Sequence, residues 1–77
     1  MLTREQKNKV VMELTKIYLK KERPNSILSE QAMKDGYKIL GTKTEDELIG
    51  LVGILSSKLF DYYQPKELAE IISKKIL

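Results

Sequence analysis

Apolar residues recur at intervals of three and four over nearly the whole chain, and the rhythm breaks mainly at Pro24, Gly41 and Gln64-Pro65. That spacing puts apolar side chains on one face of a 3.6-residue helix; a half-buried strand would need strict alternation instead. No segment alternates in that way. The pattern predicts an all-α chain, one domain over residues 1–77, with helices at about 3–22, 26–40, 44–62 and 65–76. The joints are short, so the four helices are expected to pack as a compact four-helix bundle.

Local signals set the ends. Thr3 with Gln6 three residues on, and Thr44 with Glu47, are capping-box patterns: each hydroxyl reaches a free helix N–H while the N3 side chain reaches back. Arg23 precedes a proline and is pushed out of helical geometry. Asn25 or Ser26 can cap the second helix, and Gly41 stands where its C-terminus turns. Pro65 suits a first helical turn, with Glu67 early and Lys74 and Lys75 late, matching the helix dipole.

The inner faces follow. The first helix offers Val10, Val11, Leu14, Ile17 and Tyr18, the second Leu28, Ala32, Met33, Ile39 and Leu40, and the fourth Leu68, Ile71, Ile72 and Ile76. The third offers Leu48, Leu51, Val52, Leu55, Leu59 and Tyr62. Ile49, Ile54 and Phe60 widen that stripe until little polar face remains, which predicts the third helix as the buried, central one. Gly50, Gly53 and Ser57 gather on its other side and are expected to admit a close neighbour within the bundle. Tyr62 and Tyr63 are expected to close the corner between the third and fourth helices at the edge of the core, one hydroxyl reaching water or a partner.

Composition then removes most chemistry. The 77 residues include no Cys, His or Trp. Without Cys there is no disulfide, thiol nucleophile or zinc finger. Without His, no serine or threonine has the usual activating base. The four glycines match no phosphate-binding spacing. Glu45, Asp46 and Glu47 are consecutive on a helix, so they point in different directions and make no two-carboxylate site. The reading is a protein that is not an enzyme, with no catalytic residues, no cofactor and no metal site. No apolar leader follows the N-terminal charges. The longest apolar stretch, Leu48 to Leu55, falls far short of the roughly 20 residues of a membrane span. A cytoplasmic location is expected.

The net charge of +3 is uneven. Residues 1–23 hold seven bases against three acids, whereas residues 42–63 hold four acids against two lysines. On the first helix Glu5, Lys9, Glu13, Lys16 and Lys20 share a face as a mixed-sign ladder, which reads as a solvated, self-paired surface. A phosphate-binding face would be less diluted with Glu. A helix-turn-helix register fails as well. With Ala32 and Gly36 as the motif's Ala and Gly, later apolar positions fall on Thr42 and Glu45, and the third helix would lead with three acids toward DNA. Protein contact is the stronger reading. Met12 and Leu19, seven apart and opposite the Val10/Leu14/Ile17 stripe, are expected to be exposed on the first helix. With Lys9, Lys16 and Lys20 they form the candidate partner-binding set. A homodimer is one form of it. The alternative is a DNA- or regulator-associated small protein of a phage or mobile element that uses the basic first helix through Lys9, Lys16, Lys20 and Lys21.

The layout also carries a family resemblance. Glu13-Leu14-x-x-Ile17-Tyr18, Pro24, Leu28-x-x-x-Ala32 and Leu40-Gly41 lead to Glu47-Leu48-Ile49. Leu51, Leu55, Leu59, Tyr62-Tyr63, Pro65-Lys66-Glu67-Leu68, Ile72 and Ile76 follow. Over residues 10–77 this resembles the small immunity proteins of the enterocin A type, which protect lactic acid bacteria from pediocin-like bacteriocins. The joint before Pro65 is shorter than in that family, and the family's recognition tail past the fourth helix finds no matching residues. The resemblance implies a four-helix protein that binds stoichiometrically to the cytoplasmic side of a mannose-type sugar permease already engaged by bacteriocin, and so blocks leakage.

Overall fold

The computed structural model describes residues 2–25 and 29–76. Four helices follow one another: α1 (Arg4–Glu22), α2 (Glu30–Gly41), α3 (Glu45–Leu59) and α4 (Pro65–Ile76), with no strand among the described residues. Both capping boxes form. The Gln6 N–H donates to Thr3 Oγ1 at 3.1 Å and the Thr3 N–H to Gln6 Oε1 at 2.8 Å. At α3 the Glu47 N–H donates to Thr44 Oγ1 at 3.1 Å and the Thr44 N–H to Glu47 Oε1 at 3.0 Å. Three boundaries differ from expectation. Gly41, expected just past α2, is its last residue, without the positive φ of a glycine cap, and Thr42 caps the helix in right-handed geometry. Ser29 caps α2, its Oγ accepting from the Ala32 N–H at 3.0 Å. Asn25 lies before the helix in a turn, and the other expected cap, Ser26, falls outside the described residues, as does Leu28. α3 stops at Leu59, because the Tyr62 and Tyr63 N–H groups both turn back to the Leu59 carbonyl, each at 2.9 Å.

The central helix is α1, not α3. Val10, Val11, Met12, Glu13 and Leu14 are buried in succession. Five consecutive residues turn through more than a full helical revolution, so α1 is covered all round its middle. Each of the other helices packs against it. Val10 and Leu14 meet Leu59 of α3 and Leu68 of α4, with Ile17, Tyr18, Tyr63, Ile72 and Ile76 around them. Val11 and Met12 meet Leu40 of α2 and Leu48 of α3, and Val52 and Leu55 join the two clusters. α3 therefore has one buried side. Ile49 and Ile54 on its other side are 62% and 58% exposed.

On α2 the close approach is made by Gly36, where an added Cβ would lie 2.6 Å from Met12 Cε. Of the apolar arc expected there, Leu40 is buried and Met33 half-buried, but Ala32 and Ile39 are exposed. Arg4 ties the start of α1 to the α2–α3 turn, its guanidinium donating to the Leu40 carbonyl at 3.1 Å and to the Lys43 carbonyl. A cation on the last carbonyls of a helix also complements its dipole. No helix among the described residues is long and apolar enough to cross a membrane.

Candidate protein-binding surface

The five residues singled out from the sequence separate in the structure. Met12 is 4% exposed and belongs to the core, contrary to expectation, because α2 packs over the side of α1 that carries it. Leu19 is half-buried, while Lys9 and Lys20 are exposed. Lys16 turns to Glu13, Nζ to Oε1 at 3.2 Å. Glu13 is itself 8% exposed, so part of the expected solvated ladder is an ion pair at the edge of the core. Other bases of α1 are also engaged within the chain. Lys7 pairs with Glu45 at 3.3 Å, and Lys21 lies over the rings of Tyr62 and Tyr63 at 5.7 and 5.1 Å. Contacts of this cation–π kind contribute about 0.5–1 kcal/mol at exposed sites. Four of the seven bases of residues 1–23, Arg4, Lys7, Lys16 and Lys21, thus have partners within the chain, and Lys9, Lys20 and Arg23 are exposed.

The tyrosine corner forms only in part as expected: Tyr62, placed by its spacing on the inner stripe of α3, lies past the end of that helix and is 47% exposed. Tyr63 packs on the core, and the Tyr62 hydroxyl donates to Glu22 Oε1 at 3.0 Å. That carboxylate pushes the Tyr62 phenol above its ordinary pKa, by hydrogen bond first and by charge second. At the other end of α3, the Thr44 backbone N–H holds the Glu47 carboxyl below its ordinary value, with the Thr44 hydroxyl and Lys43 acting in the same direction. A lowered folded-state pKa contributes stability above the ordinary carboxylate value and loses it as pH falls through the folded one. Thermal midpoints of the native chain are therefore expected to fall more steeply below about pH 4.5 than those of Glu47→Gln. Parallel curves would remove Glu47 from the acid response.

Beside these contacts one part of the surface is apolar. Between α3 and α4 the chain leaves an open groove floored by Val10 and Leu14 of α1. A hollow of about 200 Å³ lies there, and a second of about 210 Å³, between α1 and α3, adjoins it and shares Val10 and Val52. Leu2, Leu48 and Ile49 line one; Ser56, Phe60, Ala69 and Ile72 line the other. Each is smaller than the roughly 300–1,000 Å³ of a small-molecule site. Their form suits side chains of a partner laid along the groove. Among the described residues Lys7, at one end, is the only charged one that lines either hollow.

The outer ridge of α3 continues this surface. From Leu48 to Ser57 no residue carries a charge. Gly50 and Gly53 lie on the ridge, both exposed, and a Cβ added at either would meet nothing within 4 Å. The expected neighbour within the bundle is absent from this side among the described residues, since α2 and α4 both pack on α1. An exposed glycine inside a helix costs about 1 kcal/mol relative to alanine, and packing within the chain returns nothing for it at these two positions.

Sequence reasoning placed Ile49, Ile54 and Phe60 in the interior, and so missed this surface. The signal was present in the charge-free run of α3, which fits an exposed docking face as well as a buried helix. Among the described residues no group of three or more acidic side chains is placed to hold a metal ion. No family model, no curated protein and no solved structure matches this chain.

Proposed function

We propose that this chain is a non-enzymatic helical protein that acts by binding another protein through the groove between α3 and α4. The observation that carries the reading is the groove itself: apolar floor, apolar walls, and exposed Ile49 and Phe60 at its edge. An apolar helical segment is the partner that such a groove suits. The most specific form of the reading is immunity, in which the segment belongs to a sugar permease engaged by bacteriocin; the sequence resemblance supports it. The DNA reading is left with fewer free cations, since Lys16 and Lys21 are occupied within the chain.

Ala69 is exposed on the groove wall, so a charge there disturbs the groove and not the core. A photo-crosslinker at Ala69 is expected to capture one protein that the same label at Lys34, on exposed α2 surface, does not. Ala69→Arg is expected to weaken that complex at least tenfold, about 1.4 kcal/mol, with the fold intact by circular dichroism. Equal capture from both positions, or full binding by Ala69→Arg, would end the groove reading. Expression in sensitive cells challenged with a panel of pediocin-like bacteriocins separates the finer claim: no protection removes immunity and leaves the groove to the crosslinking result. Salt-dependent binding of duplex DNA that is lost in Lys9→Glu/Lys20→Glu would favour the nucleic-acid alternative.

A further inference from the structure

We propose that two copies of this chain pair through the outer ridge of α3, antiparallel and two-fold symmetric, crossing between Gly50 and Gly53. The proposal goes beyond the groove reading: Ile49 stands at the edge the two surfaces share, but Ala69 belongs to the groove alone and Ile54 to the ridge alone.

Charge selects the second copy and its direction. The first turn of α3 holds Glu45, Asp46 and Glu47, the last turn holds Lys58, and the ten residues from Leu48 to Ser57 are uncharged. A parallel pair would stack two acidic turns on each other. An antiparallel pair sets each acidic turn level with the other copy's last turn, whose Lys58 lies on the flank of the ridge with its Nζ 5.6 Å from its own Tyr18 ring, and opposes the two helix dipoles, so the ridge is complementary to itself in one direction only.

Shape agrees. At 100° per residue Gly50 and Gly53 flank the middle of the exposed face, and Ile49 and Ile54 stand outside them on opposite flanks. The midpoint between the glycines is also the midpoint between the isoleucines. In an antiparallel pair about that point, Ile49 of each copy comes to rest over Gly53 of the other, and Ile54 over Gly50. The most exposed large hydrophobic side chains of α3 thus meet the positions where the opposing backbone has no side chain. Asp46 and Ser57 come level across the pair near its centre line. A single helix pair buries less than the roughly 800 Å² per partner of a standard interface, so the association is weak and concentration-dependent.

Sedimentation equilibrium over about 10 μM to 1 mM is expected to show the mass rising from 8.9 kDa toward twice that value. Ile54→Glu is expected to weaken pairing at least tenfold. Gly50→Ala/Gly53→Ala is expected to weaken it too while the unfolding midpoint holds or rises, a separation that a purely structural role for the glycines would not produce. Because the chain has no cysteine, direction can be read by disulfide trapping. Asp46→Cys copies mixed with Ser57→Cys copies should cross-link to each other, and neither should cross-link to itself. A chain that stays monomeric to 1 mM, a dimer indifferent to Ile54→Glu, or Asp46→Cys copies linking to one another would each overturn the proposal. None of these results bears on crosslinking from Ala69, so this contact and the groove can fail separately.

Discussion

Replacing Leu14 with alanine is expected to lower the free energy of unfolding by about 2–5 kcal/mol, the range for emptying a buried leucine site. Leu14 is 1% exposed and sits where α1, α3 and α4 meet, against Leu59 and Leu68. The loss has two parts: the transfer free energy of the deleted carbons, and the contacts forfeited around the cavity they leave. A helix at the centre of the packing, with α3 on one side and α4 on another, has little freedom to close that cavity. At about 0.05–0.15 kcal/mol per residue a domain of this size has a total stability of roughly 4–12 kcal/mol. Toward the lower end of that range the variant is expected to be partly or wholly unfolded at 37 °C. Urea denaturation followed by far-ultraviolet circular dichroism measures it. A loss under about 1 kcal/mol would mean that the three-helix junction is not the core described here.

Met12→Ala is the second large effect, and it tests a corrected expectation directly. Read from the sequence, Met12 is a surface contact, and its truncation should leave stability alone. In the structure it fills the space between α1 and α2, with its terminal methyl 2.6 Å from where a Cβ on Gly36 would stand. Its removal is expected to cost about 2–5 kcal/mol. Lys9→Ala, on the exposed side of the same helix, should stay within about 0.5 kcal/mol. Equal stabilities for the two variants would return Met12 to the surface. If α2 closes down on the shorter side chain, the loss falls toward the lower end of the range, and amide exchange in α2 should report the rearrangement.

The parts of the fold that could be read in advance are those decided within a few residues of chain. Thr3 with Gln6 and Thr44 with Glu47 close capping boxes over three residues. Pro65 opens α4. The inner stripes of α3 and α4, Leu48/Leu59 and Leu68/Ile72, point inward as their spacing requires. The candidate surface was less legible for a definite reason. Apolar periodicity says which face of a helix avoids water, but not how many neighbours arrive to cover it. Ile49, Ile54 and Phe60 count toward burial in any reading of the sequence, yet α2 and α4 dock on α1 and leave them outside. The basic character of residues 1–23 was misleading in the same way. Charge counts ignore where a side chain ends, and Arg4, Lys7, Lys16 and Lys21 end on carbonyls, carboxylates and rings of the same chain.

By itself the sequence determined that this protein is helical, where each helix begins and ends to within a few residues, and which residue types are absent from any chemistry it performs. Those properties depend on hydrogen bonds and sterics over one helical turn. Only the tertiary structure decided that α1 is the centre, that Met12 is core, and that α3 keeps an uncharged face uncovered. Those properties depend on which of several similar apolar stripes pack together, and that choice is made by the fit of side chains far apart in the chain, such as Met12 against Gly36 and Leu14 against Leu59 and Leu68.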